Sequence, residues 1–83
     1  MEMPAYLSDR EMDLFRKECR LAGAHVSYEN QLTTILADGK HYKYIRYPLA
    51  ARLGANTWYY QGYYEGLKFV SATTSTRKGV SDA

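Results

Sequence analysis

Apolar residues recur at helical spacing near the start of the chain. Met12, Phe15, Cys19 and Ala22 fall on one face, and Leu14 and Leu21 widen it. Arg10, Asp13, Lys17 and Arg20 take the remaining positions. Ser8-Asp9-Arg10-Glu11, just ahead, fits a capping box. The Ser8 hydroxyl can accept from the Glu11 amide while the Glu11 carboxylate reaches back to the Ser8 amide. Gly23 suits the left-handed position after a helix end. The pattern predicts a helix over residues 9–22, preceded by a lead-in whose Tyr6 and Leu7 can pack back on the domain.

The period then changes. Val26 and Tyr28 alternate with Ser27 and Glu29, and residues 32–37 are rich in β-branched side chains. Asp38-Gly39 is the favoured pair for a type I′ hairpin. In the strand that follows, Tyr42, Tyr44 and Arg46 share one face, and His41, Lys43, Ile45 and Tyr47 share the other. Residues 24–47 therefore predict a two- or three-stranded antiparallel sheet.

Pro48 stops that strand, and residues 49–53 predict one short helical turn ending at Gly54. Residues 58–72 pull two ways. Trp, Tyr, Phe and Val favour a strand, and Gly62 and Gly66 each cost a helix roughly 1 kcal/mol. Against a strand, the aromatic residues come in adjacent pairs, Tyr59-Tyr60 and Tyr63-Tyr64, and do not alternate. Tyr59, Tyr63, Gly66 and Val70 share a helical face, with Asn56 or Thr57 as a cap, so this segment is read as a helix. From Thr73 onward the chain is small and polar and reads as a frayed tail. The expected fold is α+β in two layers: an N-terminal helix, an antiparallel β-hairpin or small sheet, and one or two C-terminal helices. It is one small domain, ordered over about residues 6–72 of the 83.

Composition sharpens this picture. The nine tyrosines are unusual, and seven lie between Tyr42 and Tyr64. The formal net charge of +2 conceals a division, with −3 over residues 1–39 and +5 over residues 40–83. Basic and aromatic character thus coincide in the C-terminal half. No apolar run approaches the roughly 18 residues of a membrane span, and no membrane partner is expected. Residues 1–5 lack the pattern of a secretory signal, and the single cysteine, Cys19, removes any internal disulfide. Both features point to a cytoplasmic protein. A core of this size supplies only a few kcal/mol, so a homodimer or a bound partner is a natural supplement.

Two constellations carry candidate chemistry. Lys40, Tyr42, Lys43, Tyr44 and Arg46 combine cations for phosphates with rings for unpaired bases, the chemistry of a nucleic-acid-binding regulator. The modest net charge weighs against that reading. The second runs from Trp58 to Gly66. Five large aromatic residues in seven positions cannot all face inward on a helix. Tyr59 and Tyr63 serve the core on this reading, while Tyr60, Tyr63 and Tyr64 are the expected protein contacts, with Arg46 and Arg52 as charged anchors. A strip formed by Gly62 and Gly66 offers a site for homodimer contact. His25, His41 and Cys19 lack ligand spacing, so no metal and no cofactor is expected. No phosphate loop, nucleophile elbow or acid pair occurs, and no enzyme is expected.

The spacing of Trp58, Gly62, Tyr63 and Gly66 resembles C-terminal helices of small phage- or prophage-encoded accessory proteins. The resemblance covers residues 58–66 only and assigns no residue roles. It implies a small non-enzymatic inhibitor or modulator of a host macromolecular machine. Together with the aromatic excess it makes a protein-binding module the leading expectation, and a nucleic-acid-binding regulator the alternative.

Overall fold

The computed structural model describes residues 2–47 and 56–72. The short helical turn expected over 49–53, Arg52 and the tail from Thr73 lie outside the described residues. The elements, in order, are β1 (Tyr6–Ser8), α1 (Asp9–Leu21), β2 (His25–Glu29), β3 (Leu32–Ala37), β4 (Lys40–Arg46), β5 (Thr57–Glu65) and β6 (Lys68–Ser71). The capping box forms: the Glu11 amide donates to Ser8 Oγ at 3.1 Å, and the Ser8 amide donates to Glu11 Oε1 at 2.9 Å. Met12, Arg16 and Cys19 make the buried stripe of α1. Leu14 and Leu21, assigned to that face from sequence, are 55% and 83% exposed. The sheet beneath accepts only the i, i+4, i+7 stripe, and Leu14 and Leu21 fall beside it.

The strands form one six-stranded antiparallel sheet in the order β1-β5-β4-β3-β2, with β6 also on β5. The Asp38-Gly39 turn has positive φ at both residues, 54° and 74°, as a type I′ hairpin demands. β4 takes one whole edge of β5. The other edge is shared end to end, with β1 opposite Thr57, Trp58 and Tyr59 and β6 opposite Gly62 to Glu65. At the handover the Tyr60 amide donates to the Ala5 carbonyl at 2.9 Å, and the Ala72 amide to the Gln61 carbonyl at 3.2 Å.

The C-terminal helices expected from sequence are thereby overturned: residues 57–71 hold two strands and a turn, and α1 is the single helix among the described residues. The reason is a β-bulge. Lys43 pairs with Gly62 and Tyr44 with Tyr60, which leaves Gln61 as the extra residue. One extra residue inverts the side-chain alternation. Trp58 and Tyr60 before the bulge and Tyr63 after it all pack on the core, while Tyr59 and Tyr64 take the other face. Adjacent pairs of tyrosines are thus what a bulged strand with two aromatic faces requires. Gly62 sits at the bulge with φ of 127°, against the backbone of β6. Gly62 and Gly66 form no helical strip for a second copy: Gly62 lies against the backbone of β6, and Gly66 sits in the open turn after β5. The resemblance to phage-encoded helices loses its footing too, since its four residues lie on β5 and the turn after it.

The core lies between α1 and one sheet face. It contains Leu7, Met12, Cys19, Val26, Ile35, Tyr42, Tyr44 and Trp58. Tyr44 is fully buried, and its hydroxyl donates to the Pro4 carbonyl at 2.6 Å. Phe15, Tyr42, Tyr60 and Tyr63 pack around it or beside it, with Tyr44–Tyr60 and Tyr42–Tyr63 ring centroids 5.3 and 5.5 Å apart. Arg16 is buried beneath α1 with its guanidinium 5.0 Å from the Trp58 ring. It donates to Thr33 Oγ1 at 2.8 Å and lies over the Tyr28 ring at 3.8 Å. Among the described residues no helix is long and apolar enough to cross a membrane.

Candidate functional site

With α1 on one side, the sheet's other face carries no described element. The strand register arranges that face in three rows. Tyr6, Tyr59, Ile45 and Leu32 lie opposite one another across β1, β5, β4 and β3. Phe69, Tyr64, His41, Leu36 and His25 form a second row from β6 to β2. Between them runs a polar row of Lys43, Thr34 and Ser27, in which Lys43 Nζ donates to Thr34 Oγ1 at 3.1 Å. The outer rows are knit by ring contacts: Tyr6–Tyr59 at 6.3 Å, Tyr47–Tyr59 at 5.3 Å and Tyr64–Phe69 at 4.8 Å. Tyr6 is 66% exposed, and Tyr64, Phe69, Leu32 and Leu36 are exposed as well. Large apolar residues on cross-strand neighbours thus make two exposed apolar rows either side of the polar one, and exposed apolar surface of this kind marks an interaction surface.

The residues singled out from sequence do not come together. Of the protein-binding set, Tyr64 stands on this open face, whereas Tyr60 and Tyr63 are half-buried on the core side. Arg46 is held at home. Its Nε donates to Asp9 Oδ1 at 2.8 Å and its Nη2 to Asp9 Oδ2 at 3.0 Å, with further bonds to Gln31 and Asn56. Trp58 Nε1 donates to the same Asp9 Oδ1 at 2.9 Å. This network pins the first turn of α1 to β4 and β5. Of the nucleic-acid set, Tyr42 and Tyr44 are buried beneath α1 and present no ring to a base. Lys40, near the Tyr63 ring at 5.7 Å, and Lys43 point to opposite faces.

Sequence pattern alone does not single out Tyr6, Leu32, Leu36 and Phe69, and it assigns Tyr59 to the architecture; the structure places all five on this face. Alternation in β4 did give the sequence signal that His41, Lys43, Ile45 and Tyr47 share a face. Only the position of α1 tells which face stays open.

Titration follows burial. Desolvation, with Tyr42 and Tyr63 nearby, pushes the Tyr60 hydroxyl up to about 12. Burial raises Tyr44 further still and also raises the Cys19 thiol. These groups stay protonated through the physiological range. The Arg46 hydrogen bonds, opposed by partial burial and aided by Trp58, hold the Asp9 carboxyl below its ordinary 3.8. A carboxylate with a depressed pKa stabilises the fold above its unfolded value and stops doing so as pH falls through the folded one. We therefore expect Asp9→Asn to be less stable than the wild type at pH 7 and the gap to narrow below pH 3.8. Its size is modest, because the Asp9 side chain is 48% exposed and water screens the pair. Urea titrations at several pH values check this.

Among the described residues no group of three His, Cys, Asp or Glu side chains can hold a metal. His25 and His41 lie in one row with Leu36 between them. The hollow lined by Ser27, Tyr28, Glu29, Leu32 and Thr34 encloses about 130 Å³, below the roughly 300–1,000 Å³ of small-molecule sites. No family model matches the chain, and neither a curated protein nor a solved structure matches it.

Proposed function

We propose that the chain is a non-enzymatic binding module that docks a protein partner on the open face of its sheet and acts by occluding that partner. The observation that carries this reading is the pair of apolar rows flanking the polar row of Lys43. Tyrosine and phenylalanine bury large area with few rotatable bonds, which suits them to protein contact. The charge on the face favours protein over nucleic acid. Lys43 is the one lysine or arginine in the three rows, and Glu29 closes the row of Tyr6 and Leu32. Phosphate neutralisation needs several cations along a backbone.

The test uses a partner captured from a lysate of the source cell, identified and purified. Tyr59→Ser with Tyr64→Ser should raise its Kd at least about tenfold while the circular dichroism of the variant stays that of the folded wild type. Leu14→Ser with Leu21→Ser, on the outer side of α1, should leave the Kd unchanged. Binding that survives the first pair, or is lost only with the second, overturns the assignment.

A further inference from the structure

β2 is an open edge. It pairs with β3 alone among the described strands. Glu29 and Leu32 close a two-residue loop, so they form a hydrogen-bonded pair. Alternation then turns the amides and carbonyls of Val26 and Tyr28 outward. The Arg20 guanidinium, reaching the Val26 carbonyl at 3.4 Å from α1, agrees with that direction. Edges are ordinarily guarded by lysine, proline or a bulge. The strand His25-Val26-Ser27-Tyr28-Glu29 has none of these, and its register with β3 is unbroken.

We propose that two copies of the chain pair antiparallel through β2 about a twofold axis at Ser27. The strand is complementary to its own reverse. In this register each outward amide meets an outward carbonyl, Val26 against Tyr28 of the partner subunit. A shift by two residues satisfies only half of these groups, and a shift by one turns them away from each other. The Val26 carbonyl has two lone pairs, so it can keep Arg20 while accepting the new bond. On the core side a β-branched residue lies opposite an aromatic one, a favourable cross-strand pair. Tyr28, 56% exposed in the monomer although Arg16 covers one side of its ring, gains cover. On the open side the His25 imidazole meets the Glu29 carboxylate of the partner subunit, once at each end. An axis normal to the sheet keeps both helices on one side. The two open faces then merge into one continuous surface.

Sedimentation equilibrium of the full chain, from roughly 1 μM to 1 mM, tests this without any other protein. The wild type should pass from monomer to dimer. Ser27→Lys, which sets two lysines against each other on the axis, should raise the dimer Kd roughly tenfold or more. Circular dichroism should be unchanged, because the Ser27 side chain is exposed. His25→Glu should weaken the dimer similarly, and His25→Glu with Glu29→Lys should restore it. Tyr59→Ser with Tyr64→Ser should leave it intact, which separates this proposal from the docking of a partner. A monomer at every concentration overturns the proposal, as does a dimer indifferent to both Ser27→Lys and His25→Glu.

Discussion

Replacing Gly62 with alanine should leave most of the protein unfolded at 25 °C. The residue has φ of 127°, where a side chain is strained at a cost of order 1–3 kcal/mol. Space makes this worse. A Cβ at position 62 would lie 2.2 Å from the Val70 carbonyl oxygen and 2.9 Å from Ser71 Cα. Both are backbone atoms and cannot swing aside, so β6 must leave β5. A domain of this size has about 5 kcal/mol of net stability to lose. Gly66 is the control. It also has positive φ, 65°, but nothing lies within 4 Å of its would-be Cβ. Asparagine tolerates that conformation, so Gly66→Asn should cost under about 1 kcal/mol. Urea unfolding followed by circular dichroism reads both. A Gly62→Ala protein as stable as the wild type would mean that β6 does not lie against the bulge.

Met12→Ala should cost about 2–5 kcal/mol. Met12 is fully buried and belongs to the one described helix that covers the core face. Truncation there leaves a cavity among Tyr, Ile and Trp side chains held in a sheet, which cannot collapse to fill it. Leu14→Ala, two residues on, should fall within about 0.5 kcal/mol of the wild type because the side chain already faces water. Thermal melts of the two variants separate a helix seated on Met12 from one rotated toward the leucines, which would reverse their order.

That contrast bears on what the residue pattern could tell. The capping box at Ser8, the helix after it and the Asp38-Gly39 hairpin are local chemistry, and each is readable from a few neighbouring residues. Residues 24–47 kept strand alternation and read as strands. Residues 58–72 did not, because the extra Gln61 shifts the period at mid-strand. Tyr59, Tyr63, Gly66 and Val70 then mimic helical spacing although strand propensity was correct. β1 is three residues long, and its partner lies some fifty residues away, with Tyr6 opposite Tyr59. No local signal announces such a pairing. Arg46 reads as a free anchor because its acceptor, Asp9, stands 37 residues earlier. For the candidate surface, the rows of β4 were legible, but which row faces solvent depends on where α1 lies, a tertiary fact.

On the proposed function, the partner docks on the face of the sheet opposite α1. Residue-resolved hydroxyl-radical footprinting of the chain, free and bound to its purified partner, tests it most directly. Tyr6, Tyr64 and Phe69 should lose reactivity on binding, whereas Tyr28 and Leu21, exposed on the helix side, should be unchanged by the partner. Loss of reactivity at Leu14 and Leu21, with Tyr6 and Tyr64 as reactive as before, would put the partner on α1 and not on the open face.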